Sequence, residues 1–133
     1  MNTIISTIRR LPEMEHSAPA SADDIRQAER ALNLFFAEEY KAYLSAFGAA
    51  WSDIIALSGI IDDEEYSVVE LTKVVKAIVP NVPKDFYVIE DVGVDGMVIW
   101  QDATGAVYQS VPNCSPVKIF DSLSDFLAHQ MDG

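Results

Sequence analysis

The sequence is poor in the residues from which disulfides, metal sites and catalytic centres are built. It has one cysteine, Cys114, and two histidines in 133 residues. A lone cysteine cannot form an internal disulfide, so nothing in the sequence indicates an oxidising compartment. His16 and His129 stand near opposite ends of the chain, far in sequence from Cys114 and from each other. No metal-ligating spacing results, and a catalytic thiol would need the fold to bring a histidine to it. We expect no metal and no cofactor.

Motifs that bind phosphates or activate nucleophiles are also missing. The segment 93–96 (GVDG) lacks the further glycine, the lysine and the following helix of a phosphate loop. No Gly-x-Ser-x-Gly elbow occurs. The acidic run 62–65 (DDEE) lacks the alternating ligands and central glycine of a calcium loop. Carboxylates are too frequent to single out a glycosidase pair. We therefore expect a protein that is not an enzyme and that acts through a binding surface.

The sequence has no apolar run of the roughly 20 residues that span a bilayer. The apolar residues of segment 1–11 are followed by Arg9 and Arg10, whereas a secretory signal has its basic residues first. We expect a cytoplasmic protein. Residues 1–20 are predicted to be an N-terminal helix, over 1–11, and a linker, over 12–19.

Positive charge is scarce. The chain has 21 acidic and 9 basic residues, a net charge of −12, and most of the excess lies in residues 51–133. Such a surface repels nucleic acid and anionic membranes, and it favours a basic protein partner. Solubility alone would also account for the acidity, and that alternative stays open.

The segment 21–48 predicts two amphipathic helices. Ser21 and Asp24 have a spacing like that of a capping box at the start of the first helix. Asn33 interrupts the pattern, and Gly48 is placed to end the second helix in a left-handed conformation. The aromatic residues between them recur on one helical face and are predicted to lie in the core, with wet hydroxyls on the tyrosines. The opposite, polar face carries Glu38, Glu39 and Lys41.

The rest of the sequence alternates short apolar segments with turn signals. Strands are predicted over 51–57, 86–90, 97–101, 106–111 and 117–120, with turns at 92–96 and 102–105. Helices are predicted over 69–79 and from Ser122 to the end, where Asp125 repeats the N-cap spacing. Tight turns between consecutive strands favour an α+β fold. We expect a single domain whose antiparallel-rich mixed sheet is flanked by N-terminal helices and a C-terminal helix.

The helix pair resembles the SMI1/KNR4, or SUKH, superfamily. The resemblance covers roughly residues 21–131, and we take 21–133 as the corresponding domain. One departure is that residues 35–37 are Phe-Phe-Ala where members usually have Leu-Pro. The matching positions are Ile25, Ala28, Leu32, Leu34, Glu38, Glu39, Tyr40, Lys41, Leu44, Phe47 and Gly48.

The resemblance implies a function in binding. Members of the superfamily are widely implied to be immunity proteins of bacterial polymorphic toxin systems, often paired with nuclease toxins, with relatives in eukaryotic cell-wall regulation. An acidic domain could cover the basic surface of a nuclease as a mimic of nucleic acid. The alternative is a regulatory or interaction module that binds no toxin.

The partner-binding residues are predicted in the acidic half of the chain. The first group is the acidic run with an aromatic anchor beside it, and the second lies near a strand end and turn. The residues are Asp62, Asp63, Glu64, Glu65 and Tyr66 in the first group, and Glu90, Asp91 and Asp95 in the second. Trp51 and Trp100 could also contact a partner, but a place in the core is the stronger expectation for each.

Overall fold

The structure is a computed structural model that describes residues 3–79, 81–92 and 96–132. Five helices and six strands lie in the described part of the chain. In order they are α1 (Thr3–Arg9), β1 (Glu15–His16), α2 (Ala22–Leu32), α3 (Glu38–Phe47), β2 (Ala50–Trp51), α4 (Val68–Lys76), β3 (Tyr87–Asp91), β4 (Val98–Gln101), β5 (Val107–Ser110), β6 (Val117–Phe120) and α5 (Leu123–Asp132). The predicted α+β fold with a C-terminal helix is confirmed.

The predicted helix pair forms as its local signals indicate. The Ser21 hydroxyl accepts the Asp24 amide at 3.1 Å, and the Asp24 carboxylate accepts the Ser21 amide at 3.0 Å, which completes a capping box. Asn33 caps the end of α2 in the left-handed region, with φ of 53°. Gly48 follows α3 with φ of 70° and ψ of −63°, so its φ is positive as expected, but it does not adopt the left-handed helical conformation that the sequence predicts. The turn residues therefore set both helix ends.

The larger sheet has the strand order β3-β4-β5-β6, and neighbouring strands are antiparallel throughout. Alternate side chains of β3 and β4 enter two different clusters, as the period of two in a strand requires. Tyr87 and Ile99 lie in the main core with α1, α3 and α5, whereas Val88 and Trp100 lie in a second cluster with Val75 of α4. The sheet is therefore covered on both faces.

The outer edge of β3 forms hydrogen bonds with two residues outside the sheet, Ser58 and Thr72. The Ser58 hydroxyl donates to the Val88 carbonyl at 2.6 Å, and the Ser58 amide donates to the Ile89 carbonyl at 2.7 Å. The Thr72 hydroxyl accepts the Val88 amide at 3.0 Å. An open edge could pair with another chain, and these bonds remove that option over the middle of β3.

Ser58 also contacts the tyrosines of α3. The Tyr43 hydroxyl donates to the Ser58 carbonyl at 2.8 Å, and the Tyr40 and Ser58 hydroxyls lie 2.9 Å apart. Both tyrosines are fully buried, so the expectation of wet hydroxyls is wrong, although their place in the core is confirmed. Burial raises the pKa of both phenols well above its ordinary value, so they remain neutral.

Two segments fold differently from the prediction. Residues 51–57 are not a strand, because the Ser52 hydroxyl accepts the Ile54 and Ile55 amides and turns the chain back. Within this segment only Trp51 belongs to a strand, as the second residue of β2. It also forms an isolated β-bridge with Ala56. Within 12–19, predicted as a linker, Glu15 and His16 form β1 and pair with β2.

Glu39 does not lie on a free polar face. Its half-buried carboxylate accepts the backbone amides of Leu123 and Ser124 at the start of α5. It also accepts the Gln101 side-chain amide of β4 at 2.8 Å. A negative charge at a helix N-terminus is favourable. Glu39 therefore joins three elements that are distant in sequence.

Candidate interaction surface

The acidic run forms a structured turn between the core and α4. The Asp63 carbonyl accepts the Tyr66 amide at 3.1 Å and the Ser67 amide at 2.8 Å, and the Asp63 carboxylate accepts the Glu65 amide at 3.0 Å. Ser67 then caps α4. All four acidic residues are exposed, and Asp63 in addition has a structural role in the turn.

A groove opens beside this turn, with a volume of about 360 Å³. Trp51 and Tyr66 contribute aromatic surface to it, and Tyr66 is 41% exposed. Asp63 is the carboxylate among its lining residues. We call this the aromatic groove; it is lined by Trp51, Ser52, Ala56, Leu57, Ile61, Asp63 and Tyr66. The turn therefore places exposed negative charge next to an apolar depression.

Glu90 does not line the aromatic groove but contacts a residue that does. Its carboxylate accepts the backbone amide of Ala56, one of the lining residues, at 3.3 Å. Burial raises the pKa of Glu90 to about 6, although the Ala56 bond opposes the shift and the neighbouring Asp91 adds to it. Glu90, a member of the second predicted group, is therefore close to the groove that the acidic run borders, although it does not line it.

The second predicted group is only partly described. Asp91 is exposed at the end of β3. Asp95 lies outside the described residues, as does most of the predicted turn at 92–96. The structure accordingly locates Glu90 and Asp91 and leaves Asp95 as a prediction.

The two tryptophans have different environments. Trp100 is fully buried in the second cluster, and its indole N–H donates to the Ser110 hydroxyl at 2.8 Å, which confirms the expectation of a core residue. Trp51 is half-buried and lines the aromatic groove. The expectation of a place in the core therefore holds for Trp100 and is wrong for Trp51.

Glu90 provides a test of this local electrostatics. A raised carboxyl pKa stabilises the fold below the unfolded value near 4.5 and loses that contribution as pH rises through about 6. Relative to wild type, Glu90→Gln should therefore gain about 1–2 kcal/mol in unfolding free energy between pH 4.5 and 6, with allowance for partial exposure. Urea unfolding over this pH range measures the difference, and Glu65→Gln is the exposed control. A difference that does not change with pH would contradict the raised pKa.

The described part of the chain offers no cluster of three or more His, Cys, Asp or Glu residues suited to a metal. None of its helices has the length and apolar character needed to cross a membrane. Cys114 is exposed.

These features define an α+β domain with an antiparallel sheet, two clusters of buried side chains and an acidic turn beside an apolar groove. Its sequence matches the family model SUKH_5, described as SMI1-KNR4 cell-wall, over residues 1–132. The chain therefore belongs to the SMI1/KNR4 (SUKH) superfamily. No curated protein matches the sequence.

Proposed function

We propose that the chain is a cytoplasmic immunity protein that neutralises a cognate toxin by direct binding, and that this toxin is a nuclease. The observation that carries the proposal is the position of the exposed carboxylates of 62–65 beside the aromatic groove. Protein interfaces commonly combine an apolar or aromatic centre with a charged rim. Membership of the superfamily supports the same function.

The charge of the chain explains why a nuclease would be the target. A nuclease must present basic residues to phosphate groups, and a protein of net charge −12 is complementary to such a surface. Close pairs of opposite charge have measured coupling energies of about 1.5–7 kcal/mol in a well-studied interface of this kind. Inhibition by this means needs neither a catalytic group nor a cofactor in the immunity protein.

The aromatic groove suits the side chain of a lysine or arginine. The aliphatic stem could lie on Ala56 and Ile61 while the cationic head meets the ring of Trp51 or Tyr66. A cation over an aromatic ring contributes about 0.5–2 kcal/mol, more when water is excluded. Asp63 would add an opposite charge at the same place. We therefore propose a basic residue of the toxin as the anchor.

The first experiment measures binding to the product of the neighbouring gene. We expect a direct complex whose affinity falls by about tenfold or more as salt rises from about 0.05 to 0.5 M, because screening weakens the attraction between exposed charges. Isothermal titration at several salt concentrations measures it. A neighbouring product that is not a toxin, with no binding to basic proteins, would contradict the proposal. Binding insensitive to salt would favour the non-toxin interaction module.

Matched variants separate local charge from total charge. Asp62→Asn, Glu64→Gln and Glu65→Gln together should weaken the complex by about tenfold or more, since paired charges at an interface are lost. Replacing Glu38, Asp125 and Asp132, also exposed, by their amides removes the same total charge elsewhere. Equal effects of the two triple variants would show that this turn is not the contact surface.

The aromatic contribution has its own control. Tyr66→Ala should weaken the complex by about 2 kcal/mol, or roughly 30-fold, if Tyr66 is an interface anchor. Phe35→Ala removes another exposed aromatic ring, outside the aromatic groove, and should leave toxin binding unchanged. The reverse result would move the proposed interface away from the groove.

A further inference from the structure

A second surface of this acidic protein carries four basic residues. These residues, four of the nine in the chain, line two adjoining grooves between α2, the turn that follows it and residues 81–85. The grooves have volumes of about 650 and 370 Å³ and share Asn33 and Lys84. We call them together the basic groove; its four cationic residues are Arg26, Arg30, Lys76 and Lys84. It has no lining residue in common with the aromatic groove.

We propose that the basic groove is a docking site for a short acidic peptide segment of another protein, anchored by an apolar side chain. This inference goes beyond the proposed function, because it concerns a different surface and a partner of opposite charge. It depends on the local charge, the apolar lining and one exposed aromatic ring.

The charge of the basic groove is only partly compensated within the protein. Arg26 pairs with Asp23. Two carboxylates, those of Glu29 and Asp85, also line the groove, and the Glu29 carboxylate accepts the Phe36 amide at 2.9 Å. Among the described residues, the side chains of Arg30 and Lys84 have no hydrogen-bond or ion-pair partner. Two exposed cations are therefore available to carboxylates of a ligand, and arginine can bind a carboxylate through two parallel hydrogen bonds.

Lys76 has a more enclosed position. Its ammonium donates to the Lys84 carbonyl at 2.8 Å. Partial burial lowers the pKa of Lys76, while nearby Asp85 opposes that shift. A carboxylate arriving in the groove would add a favourable charge beside it, since an opposite charge favours the ionised form.

Phe35 supplies the apolar part of the site. Its side chain is 73% exposed, whereas that of the adjacent Phe36 is buried in the core. Half-buried apolar side chains add to this surface in the second groove, at Leu32, Val79 and Val82, whereas Leu34 in the first groove is buried. An exposed ring above an apolar groove can pack against one leucine, phenylalanine or tryptophan of a bound peptide.

The net charge of the chain decides between an acidic peptide and other acidic occupants. A nucleic acid or a second copy of this chain would bring many negative charges against a protein of net charge −12, and long-range repulsion would oppose both. A short peptide carries only the few charges that the groove can pair. Nucleic acid would also need further aromatic rings on which bases stack.

Selection from random short peptides displayed on phage tests the proposal, because it requires only the chain itself and no identified partner. With the full chain as target, we expect enriched sequences that combine several Asp or Glu residues with one large apolar residue. The most enriched sequence, made as a labelled synthetic peptide, should bind with an affinity that falls by about tenfold when Arg30→Glu and Lys84→Glu are combined. Phe35→Ser should weaken it as well.

The controls use a separate part of the surface. Val117→Ser with Lys118→Glu removes an exposed apolar residue and an exposed cation from β6, and should leave peptide binding unchanged. Circular dichroism and thermal unfolding verify that every variant is folded.

Enriched peptides without an acidic bias, or peptide binding that survives the Arg30 and Lys84 replacements, would overturn the proposal. Binding of a thymidine oligonucleotide in place of peptide, or a dimer abolished by the same replacements, would assign the groove to nucleic acid or to a second copy.

Discussion

Glu39→Ala should lower the free energy of unfolding by about 3 kcal/mol, because one half-buried carboxylate caps a distant helix and also accepts a bond from a buried side-chain amide. The replacement would leave the amides of Leu123 and Ser124 without their acceptor at the start of α5, and the Gln101 amide would lose one of its bonds. Small proteins have total stabilities of about 5–15 kcal/mol, so the loss would be large. Urea unfolding measures it.

The neighbouring residue is a matched control. Glu38 begins the same helix, but its side chain is 93% exposed and pairs only with Lys41. Glu38→Ala should therefore change stability by no more than about 0.5 kcal/mol. Glu39→Gln should fall between the two, since its amide oxygen can still accept from both Gln101 and Leu123, while its NH₂ group would face the Ser124 amide in place of an acceptor. Equal losses for Glu38→Ala and Glu39→Ala would contradict the capping role.

The features predicted well from the sequence are those set by neighbours along the chain. Ser21 and Asp24 form the capping box within one helical turn, and Asn33 ends that helix through its own left-handed conformation. The hairpin after β4 is likewise local, since Asp102 accepts hydrogen bonds from Thr104. Such signals operate over a few residues, so a single sequence contains all of their causes.

The features missed from the sequence depend on contacts between distant segments. Glu39 looks like a solvent-facing helical residue until α5 is placed against it, 84 residues later. Ser58 resembles a turn residue, yet it joins two tyrosines of α3 to the edge of β3. Periodicity predicts which face of a helix is polar, but it cannot identify which polar residue another segment will cover.

The candidate sites likewise combine features that are evident from the sequence with features that arise only on folding. The acidic run is evident from composition, but the role of Asp63 in holding the turn, and the place of Trp51 beside Tyr66, arise from folding. The basic groove has one local signal: Arg26 and Arg30 are four residues apart, which places them on one face of α2. Lys76 and Lys84 join them only because α4 and the segment before β3 pack nearby.

Gly59→Ala should lower the free energy of unfolding by about 3 kcal/mol or more, because an added methyl group would collide with backbone that cannot easily move. An ideal Cβ at this position would lie 2.1 Å from the Gly48 carbonyl oxygen and 2.7 Å from the Ala49 methyl group. The same carbonyl accepts the Ile60 amide at 2.9 Å, which limits its displacement. The cost comes from close packing.

The effect of Gly59→Ala should extend to the candidate interaction surface. The Gly59 amide donates to the Tyr66 carbonyl and the Gly59 carbonyl accepts the Val68 amide, both at 2.9 Å, so Gly59 holds the acidic turn to the core.

Gly105→Ala is the comparison: its φ is +97°, but the nearest atom to an added Cβ is 3.7 Å away. That variant should lose only about 1–2 kcal/mol through backbone strain. Urea unfolding of both variants, with hydrogen exchange at the Val68 amide, separates collision from strain. If Gly59→Ala lost no more stability than Gly105→Ala and kept the Val68 amide protected, the close approach of Gly59 to Gly48 would not be what fixes the turn beside the aromatic groove.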